Sequence, residues 1–156
     1  RAGYNKHYVN GILFNHESPR RGSNFVTNKV VKTAVQIHKG LRDKLELGNL
    51  DSSRDWGHSK DYVRGMHMIL NNDEPKDYII ATGDTRTVRD FCRYTFDKLG
   101  KNYQDYVTQN PKFMRPEELK FLKGDSTPIR EELGWEPEYT FETMLDEMIE
   151  FWMNNV

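Results

Sequence analysis

The sequence predicts an α/β fold. Short strand-like apolar runs, Val9 to Phe14, Leu45-Glu46-Leu47 and Tyr78-Ile79-Ile80-Ala81, alternate with segments whose apolar residues recur at helical spacing. The first two of these runs lead into polar, charge-rich stretches, Asn15 to Gly22 and Asp51 to His58. Ligands of open α/β sheets gather beyond the carboxyl ends of the strands, which makes these two stretches the candidate site.

The elements follow in order. Val9-Asn10-Gly11-Ile12-Leu13-Phe14 reads as a buried strand, and Asn15 to Gly22 as the loop after it, stiffened by Pro19 and released by Gly22. Asn24 is the expected N-cap of a helix to about Lys39, with Val26, Val30, Ala34 and Ile37 on one face and Gly40 just past its end. Leu45 to Leu47 reads as a short strand ended by Gly48-Asn49. A second polar loop, Asp51 to His58, precedes a helix capped by Ser59 that runs to about Asn71, with Tyr62, Met66, Ile69 and Leu70 facing inward. Pro75 prevents continuation. Tyr78 to Ala81 is the next strand.

Thr87 and Asp90 form a capping arrangement for a helix carrying Val88, Phe91, Cys92, Thr95 and Leu99 and ended by Gly100. Residues 101 to 114 read as irregular chain with a short strand near Tyr106-Val107, and Arg115-Pro116-Glu117-Glu118 as a charged turn. Asp125-Ser126-Thr127-Pro128 is a helix start with proline in the first turn, and Gly134 ends that helix. Thr140 caps the last helix, whose inward residues are Phe141, Leu145, Met148, Ile149 and Trp152. Three or four strands are too few for a complete doubly wound sheet. The first residues look like the tail of a helix, so the chain is expected to be a fragment of something longer.

Composition narrows the function. Among 156 residues, 23 basic and 24 acidic side chains give a net charge of −1, which argues against a general nucleic-acid binder. A single cysteine allows no internal disulfide and fits a reducing, cytoplasmic setting. No apolar run approaches the ~18 residues that span a membrane. A Gly-x-Gly-x-x-Gly fingerprint and a phosphate-binding Gly-Lys-Ser/Thr loop are both absent, and His16-Glu17 lacks a second histidine at zincin spacing, so no metal site is expected. Cys92, on an apolar helix face, reads as a buried, inert thiol. The Met66/Met68 pair reads as core, and Asp51, Asp55 and Trp56 as shaping the loop around Arg54. In Asn15-His16-Glu17-Ser18-Pro19-Arg20-Arg21-Gly22 an amide, an imidazole, a carboxylate and two guanidiniums fall within eight residues. Paired arginines favour a phosphate, because guanidinium offers a planar fork of donors that stays charged.

The whole segment from Val9 to Gly22, together with Leu47-Gly48-Asn49-Leu50-Asp51, Arg54-Asp55-Trp56-Gly57-His58 and Asn72-Asp73-Glu74-Pro75, resembles the C-terminal half of the GDP-mannose 4,6-dehydratases. These belong to the extended short-chain dehydrogenase/reductase superfamily. The Asp125-Ser126-Thr127 to Gly134-Trp135-Glu136-Pro137 pattern is shared more broadly among nucleotide-sugar members. The resemblance implies Rossmann-like sheet strands plus a small α/β substrate-binding domain, with residues 1–156 forming the mostly substrate-binding C-terminal portion. It implies GDP-mannose as substrate and NADP as cofactor. The reaction is oxidation at sugar C4, loss of water across C5 and C6, and hydride return to C6, giving GDP-4-keto-6-deoxymannose. By position, His16 and Arg21 are implied to contact NADP. Asn15, Val26, Lys29 and Arg54 are implied to bind the sugar nucleotide, with Arg115 and Glu118 at its nucleotide end. By position Arg1 falls after the family's glycine-rich loop, its threonine and glutamate pair and its Tyr-x-x-x-Lys helix, so the chain alone is expected to be inactive and to expose a sheet edge. The whole protein is expected to be a cytoplasmic dimer or tetramer. Another nucleotide-sugar dehydratase or epimerase, and a non-catalytic GDP-sugar binding fragment, are the alternative readings.

Overall fold

The computed structural model describes residues 3, 6–114, 117 and 119–156. Its elements run β1 (Gly11–Leu13), β2 (Asn15–Glu17), α1 (Val26–His38), β3 (Leu45–Leu47), β4 (Ser53–His58), α2 (Ser59–Leu70), β5 (Tyr78–Ile80), β6 (Thr85–Thr87), α3 (Val88–Lys98), β7 (Val107–Gln109), β8 (Phe121–Leu122), α4 (Thr127–Leu133) and α5 (Phe141–Asn155), with 3₁₀ turns at Tyr103–Asp105 and Pro111–Phe113. The expected α/β class holds, with parallel pairing dominant. β1 lies parallel to β5, β3 to β7, and β2 and β8 to β4; β6 alone runs antiparallel, against β4.

The first apolar run divides between two partners. After Leu13 the Phe14 amide still donates to Ile80 O at 3.1 Å, and the chain then crosses to β4, where His16 faces Gly57. Both stretches expected to be loops are therefore strands at their functional ends: Asn15–Glu17 and Ser53–His58. Polarity hid them. The charged and amide side chains point into clefts or pair in the interior, while the backbone groups take ladder partners as buried amides must. β6 and β8 were unexpected for a different reason, being only three and two residues long. Nor is Val9 to Phe14 buried: Ile12 is 53% exposed, and among the described residues β1 pairs with β5 alone, leaving its other edge open.

Two cores result. In the larger, α1, α3 and α5 pack together over Leu45, Leu47 and Trp56. The smaller joins Tyr62 and Ile69 of α2 to Tyr78, Ile80, Ile129 and Trp135. Gly65 makes the second possible: a β-carbon there would sit 2.9 Å from Ile80 and 3.1 Å from the Trp135 indole nitrogen. That nitrogen donates to Asp61 O at 2.9 Å, and the Asp61 carboxylate accepts the Glu138 and Tyr139 amides. Met66 and Leu70, expected inside, are exposed along with Val63. The inward stripe of α2 is Asp61, Tyr62, Gly65 and Ile69, narrower than the apolar content of the helix.

The capping signals divide. Thr87 with Asp90, and Thr140 with Thr143, form full capping boxes, and Gly40, Gly100 and Gly134 all take positive φ at helix ends. Asn24 does not cap α1. Phe25 N donates to Gly22 O, one more turn is made, and Phe25 becomes the N-cap residue without a side-chain cap. At α2 the cap is His58, whose Nδ1 accepts from Lys60 N at 3.0 Å, whereas the Ser59 hydroxyl donates to Glu17 O.

Candidate functional site

β2 sets the geometry of the site. Successive residues of a strand point to opposite faces. Asn15 accordingly lines one cleft and His16 another, and Phe25 lies in the wall between them.

The first cleft encloses about 540 Å³. Its walls are the start of α1, the β3–Gly48 turn, β4 and the 3₁₀ turn at Pro111–Phe113. Asn15, Val26, Lys29 and Arg54, four residues singled out for the sugar nucleotide, all line it. Lys29 Nζ donates to Glu46 O at 2.7 Å and lies 4.2 Å from the centre of the Phe113 ring. Arg54 Nη1 donates to Ser53 O at 2.8 Å and to Leu119 O at 2.6 Å, which fixes its stem in the wall. Gly48 lets the floor close: a β-carbon would meet Phe113 O at 2.3 Å. Because α1 has no side-chain cap, its first amides and the positive end of its dipole are left for whatever enters. Arg115 and Glu118 follow Met114 of this wall in sequence and lie outside the described residues.

The second cleft, about 380 Å³, is lined by His16, Arg21, Arg20 and Tyr62 among others. His16 Nδ1 is 2.8 Å from Phe14 O, so this nitrogen carries a proton and donates it to the carbonyl. The ring stacks on Tyr62 at 5.0 Å. Arg21 lies with its guanidinium carbon 3.5 Å from the Phe25 ring centre. Under it Glu17, 1% exposed, sits 3.1 Å from Arg21 Nε and accepts from Thr27 Oγ1 at 2.6 Å. Burial pushes the Glu17 carboxyl up to about 7, against the opposing pull of Thr27 and Arg21. Burial, with Asp55, Asp61 and Glu17 nearby, likewise raises the Tyr62 hydroxyl.

Asp55 does what its position in the sequence suggested and shapes the Arg54 segment. Wholly buried, it accepts from Thr82 N, Thr82 Oγ1, Gly83 N and Gly124 N. Trp56 does more than expected, because it also lines the first cleft. Lys112, Phe113 and Ser52 are cleft residues that sequence reasoning missed. Lys112 and Phe113 reach the site only through the β3–β7 pairing, a long-range contact with no local signal. Cys92 is buried, and burial pushes its thiol up to about 12. No group of three or more potential metal ligands occurs among the described residues. No helix among them is long and apolar enough to cross a membrane.

The same fold occurs in Pseudomonas aeruginosa RMD, solved with NADPH, at a TM-score of 0.88 and 23% identity, covering 96% of this chain and 50% of that one. A Bacillus anthracis dTDP-glucose 4,6-dehydratase solved with NAD superposes at a TM-score of 0.84 and 21% identity, over 99% of this chain and 47% of that one. Sequence similarity is closer to proteins named GDP-mannose 4,6 dehydratase. The human protein is 43% identical, covering 96% of this chain and 45% of its own length, and an Arabidopsis thaliana one is 44% identical, covering 96% and 42%. The chain thus spans less than half the length of these relatives. The family described as GDP-mannose 4,6 dehydratase matches residues 1–148. An α/β framework shared with these solved structures, and a family match over almost its entire length, place this chain in the GDP-mannose 4,6-dehydratase family.

Proposed function

We propose that residues 1–156 form the C-terminal, mostly substrate-binding portion of an NADP-dependent GDP-mannose 4,6-dehydratase, a lyase converting GDP-mannose to GDP-4-keto-6-deoxymannose in GDP-deoxysugar biosynthesis. The observation that carries the reading is the convergence of Asn15, Val26, Lys29 and Arg54 on one cleft at the uncapped start of α1. A nucleoside diphosphate needs fixed cations and free amide donors. Lys29, Arg54 and the α1 N-terminus supply both from three separate elements. Asn15 offers an amide to the diphosphate and sugar region, and Val26 gives an apolar contact beside it. Arg115 is assigned to the diphosphate or ribose and Glu118 to the ribose.

The second cleft is assigned to the cofactor. An imidazole and a guanidinium stacked on Phe25 fit a phosphate-bearing, hydrogen-bonding ligand. They supply one wall only, since the chain has no glycine-rich phosphate loop. NADP, when bound, accepts and returns the hydride. His16 and Arg21 bind and orient it, while Phe25 separates it from the first cleft. We assign none of the described residues to take the C4 hydroxyl proton in the manner of the family's tyrosine, so the isolated chain should not turn over. The whole protein is assigned to the cytoplasm as a dimer or tetramer.

Calorimetric titration of the chain with GDP-mannose, with UDP-glucose as control, tests the assignment. Selective binding of GDP-mannose, weakened roughly tenfold or more by Arg54→Ala, is expected from the loss of a charge-assisted contact. Equal affinity for the two sugars, or binding untouched by Arg54→Ala, would overturn it. Dehydratase turnover by the purified chain would refute the division of labour.

A further inference from the structure

Glu17 is a buried carboxylate that the proposed binding roles leave unused. It is the last residue of β2, directly after Asn15 and His16 of the two clefts. Among the described residues, the buried Arg21 Nε meets no hydrogen-bond acceptor with good geometry and has Glu17 as its ion-pair partner at 3.1 Å. Three further contacts fix the surroundings. Thr27 Oγ1 donates to Glu17 Oε2, Asn28 Nδ2 donates to Arg21 O, and Ser59 Oγ donates to Glu17 O. Arg21 in turn covers the Phe25 ring, the wall shared by both clefts. Glu17 engages the Nε side of the guanidinium, and Arg21 lines the second cleft.

We infer that Glu17 is a positioning residue: from beneath the Ser18 to Phe25 loop it orients the Arg21 guanidinium, and through it the Phe25 ring, for binding an anionic ligand in the second cleft. The inference rests on the cofactor reading only for the identity of that ligand. A carboxylate held behind a ligand-binding group restricts its rotamers before the ligand arrives, so less ordering remains to be done on binding. The groups facing Glu17 are few. Arg21 comes from the loop and Tyr62 from α2; α1 contributes the uncharged Thr27. Its paired residue on β4, His58, is engaged with Glu147 at 2.7 Å. With its carboxyl titrating near neutrality, Glu17 should hold Arg21 at pH 8 and release it at pH 6.

Glu17→Gln keeps the shape and an acceptor for Thr27 but fixes the neutral state. Two readouts on the chain decide the matter. The first is the Arg21 Nε–H resonance, assigned by its loss in Arg21→Lys, and its exchange with water. The second is calorimetric affinity for NADP⁺ at pH 6 and pH 8. At pH 8 the Gln variant should exchange this proton faster and bind NADP⁺ roughly tenfold more weakly than the native chain at the same pH. The native chain should approach the variant at pH 6. Thr27→Val, which removes the hydroxyl bond and spares the carboxylate, should keep the native resonance. Unchanged exchange in Glu17→Gln, or equal loss in Thr27→Val, would overturn the positioning role. If the native chain binds no NADP⁺, one wall does not suffice for affinity, and the Arg21 resonance alone decides the role of Glu17.

Discussion

Replacing Asp55 tests how the β4 strand is tied to the rest of the fold. Its Oδ1 accepts from Thr82 N at 2.8 Å and Thr82 Oγ1 at 2.6 Å; its Oδ2 accepts from Gly83 N at 2.9 Å and Gly124 N at 3.2 Å. In Asp55→Ala the Thr82 hydroxyl keeps a partner in Asp84 O, and water can reach the half-buried Thr82 and Gly83 amides. The Gly124 amide is buried and is left orphaned, which alone costs about 1–3 kcal/mol. Adding the lost charge-assisted bonds of the other two amides, and crediting the relief of a desolvated charge, gives about 4 kcal/mol. Asp55→Asn should cost about 2 kcal/mol, because either orientation of the amide turns its NH₂ toward donors where a carboxylate oxygen stood. The assay is urea unfolding of the chain at pH 7, read by tryptophan fluorescence. The midpoint should fall in the order native, Asn, Ala, with the denaturant slope unchanged. An Ala variant within about 1 kcal/mol of the native chain would refute the reasoning, since that is the scale of an ordinary substitution.

Glu17 makes stability depend on pH with a definite sign. Its folded carboxyl lies at about 7 against an ordinary 4.5, so the folded state binds the extra proton; this group's contribution is full below about 4.5 and is lost as pH rises through about 7. About 2.5 pH units correspond to about 3 kcal/mol, and unfolding at pH 5 and pH 8 should show that fall in the native chain and its absence in Glu17→Gln. Gly124→Ala would place a β-carbon 2.2 Å from that of Ala81 and 3.1 Å from the Phe14 ring, and calorimetric melting should show a loss of about 3 kcal/mol. Cys92, with its thiol pushed up to about 12, should resist a disulfide reagent at pH 8 in the native chain and react promptly in urea. Rapid native labelling would mean that the α1–α3–α5 core opens easily.

What the sequence made legible was what local chemistry dictates. The helices stood out because their apolar spacing and end signals are short-range: Thr87 with Asp90, Thr140, Pro128 and three glycines at positive φ all act within a turn. The polar strands did not, because Asn15–Glu17 and Ser53–His58 owe their conformation to each other and not to their own side chains. A burial pattern could not reveal them, since Glu17, Asp55 and His58 are polar and yet interior. The local reading of Asn15 to Gly22 as one ligand loop joined residues that β2 separates onto two faces. Only the resemblance divided them between two ligands, and the clefts fall along the same division. Lys112 and Phe113 were invisible for another reason: more than sixty residues of chain lie between them and the Gly48 turn they close upon.

The alternation of Asn15 and His16 has a consequence for insertions and deletions. On a strand whose neighbours serve opposite clefts, adding or removing one residue between Leu13 and Asn15 would not merely shorten a connection. It would present the imidazole to the first cleft and the amide to the second, exchanging the chemistry of two sites by a single codon. The Ser18 to Phe25 segment lies beyond the ladder and carries no such parity. Length changes engineered for altered ligand preference belong there, and two-residue steps are the smallest that β2 itself could absorb.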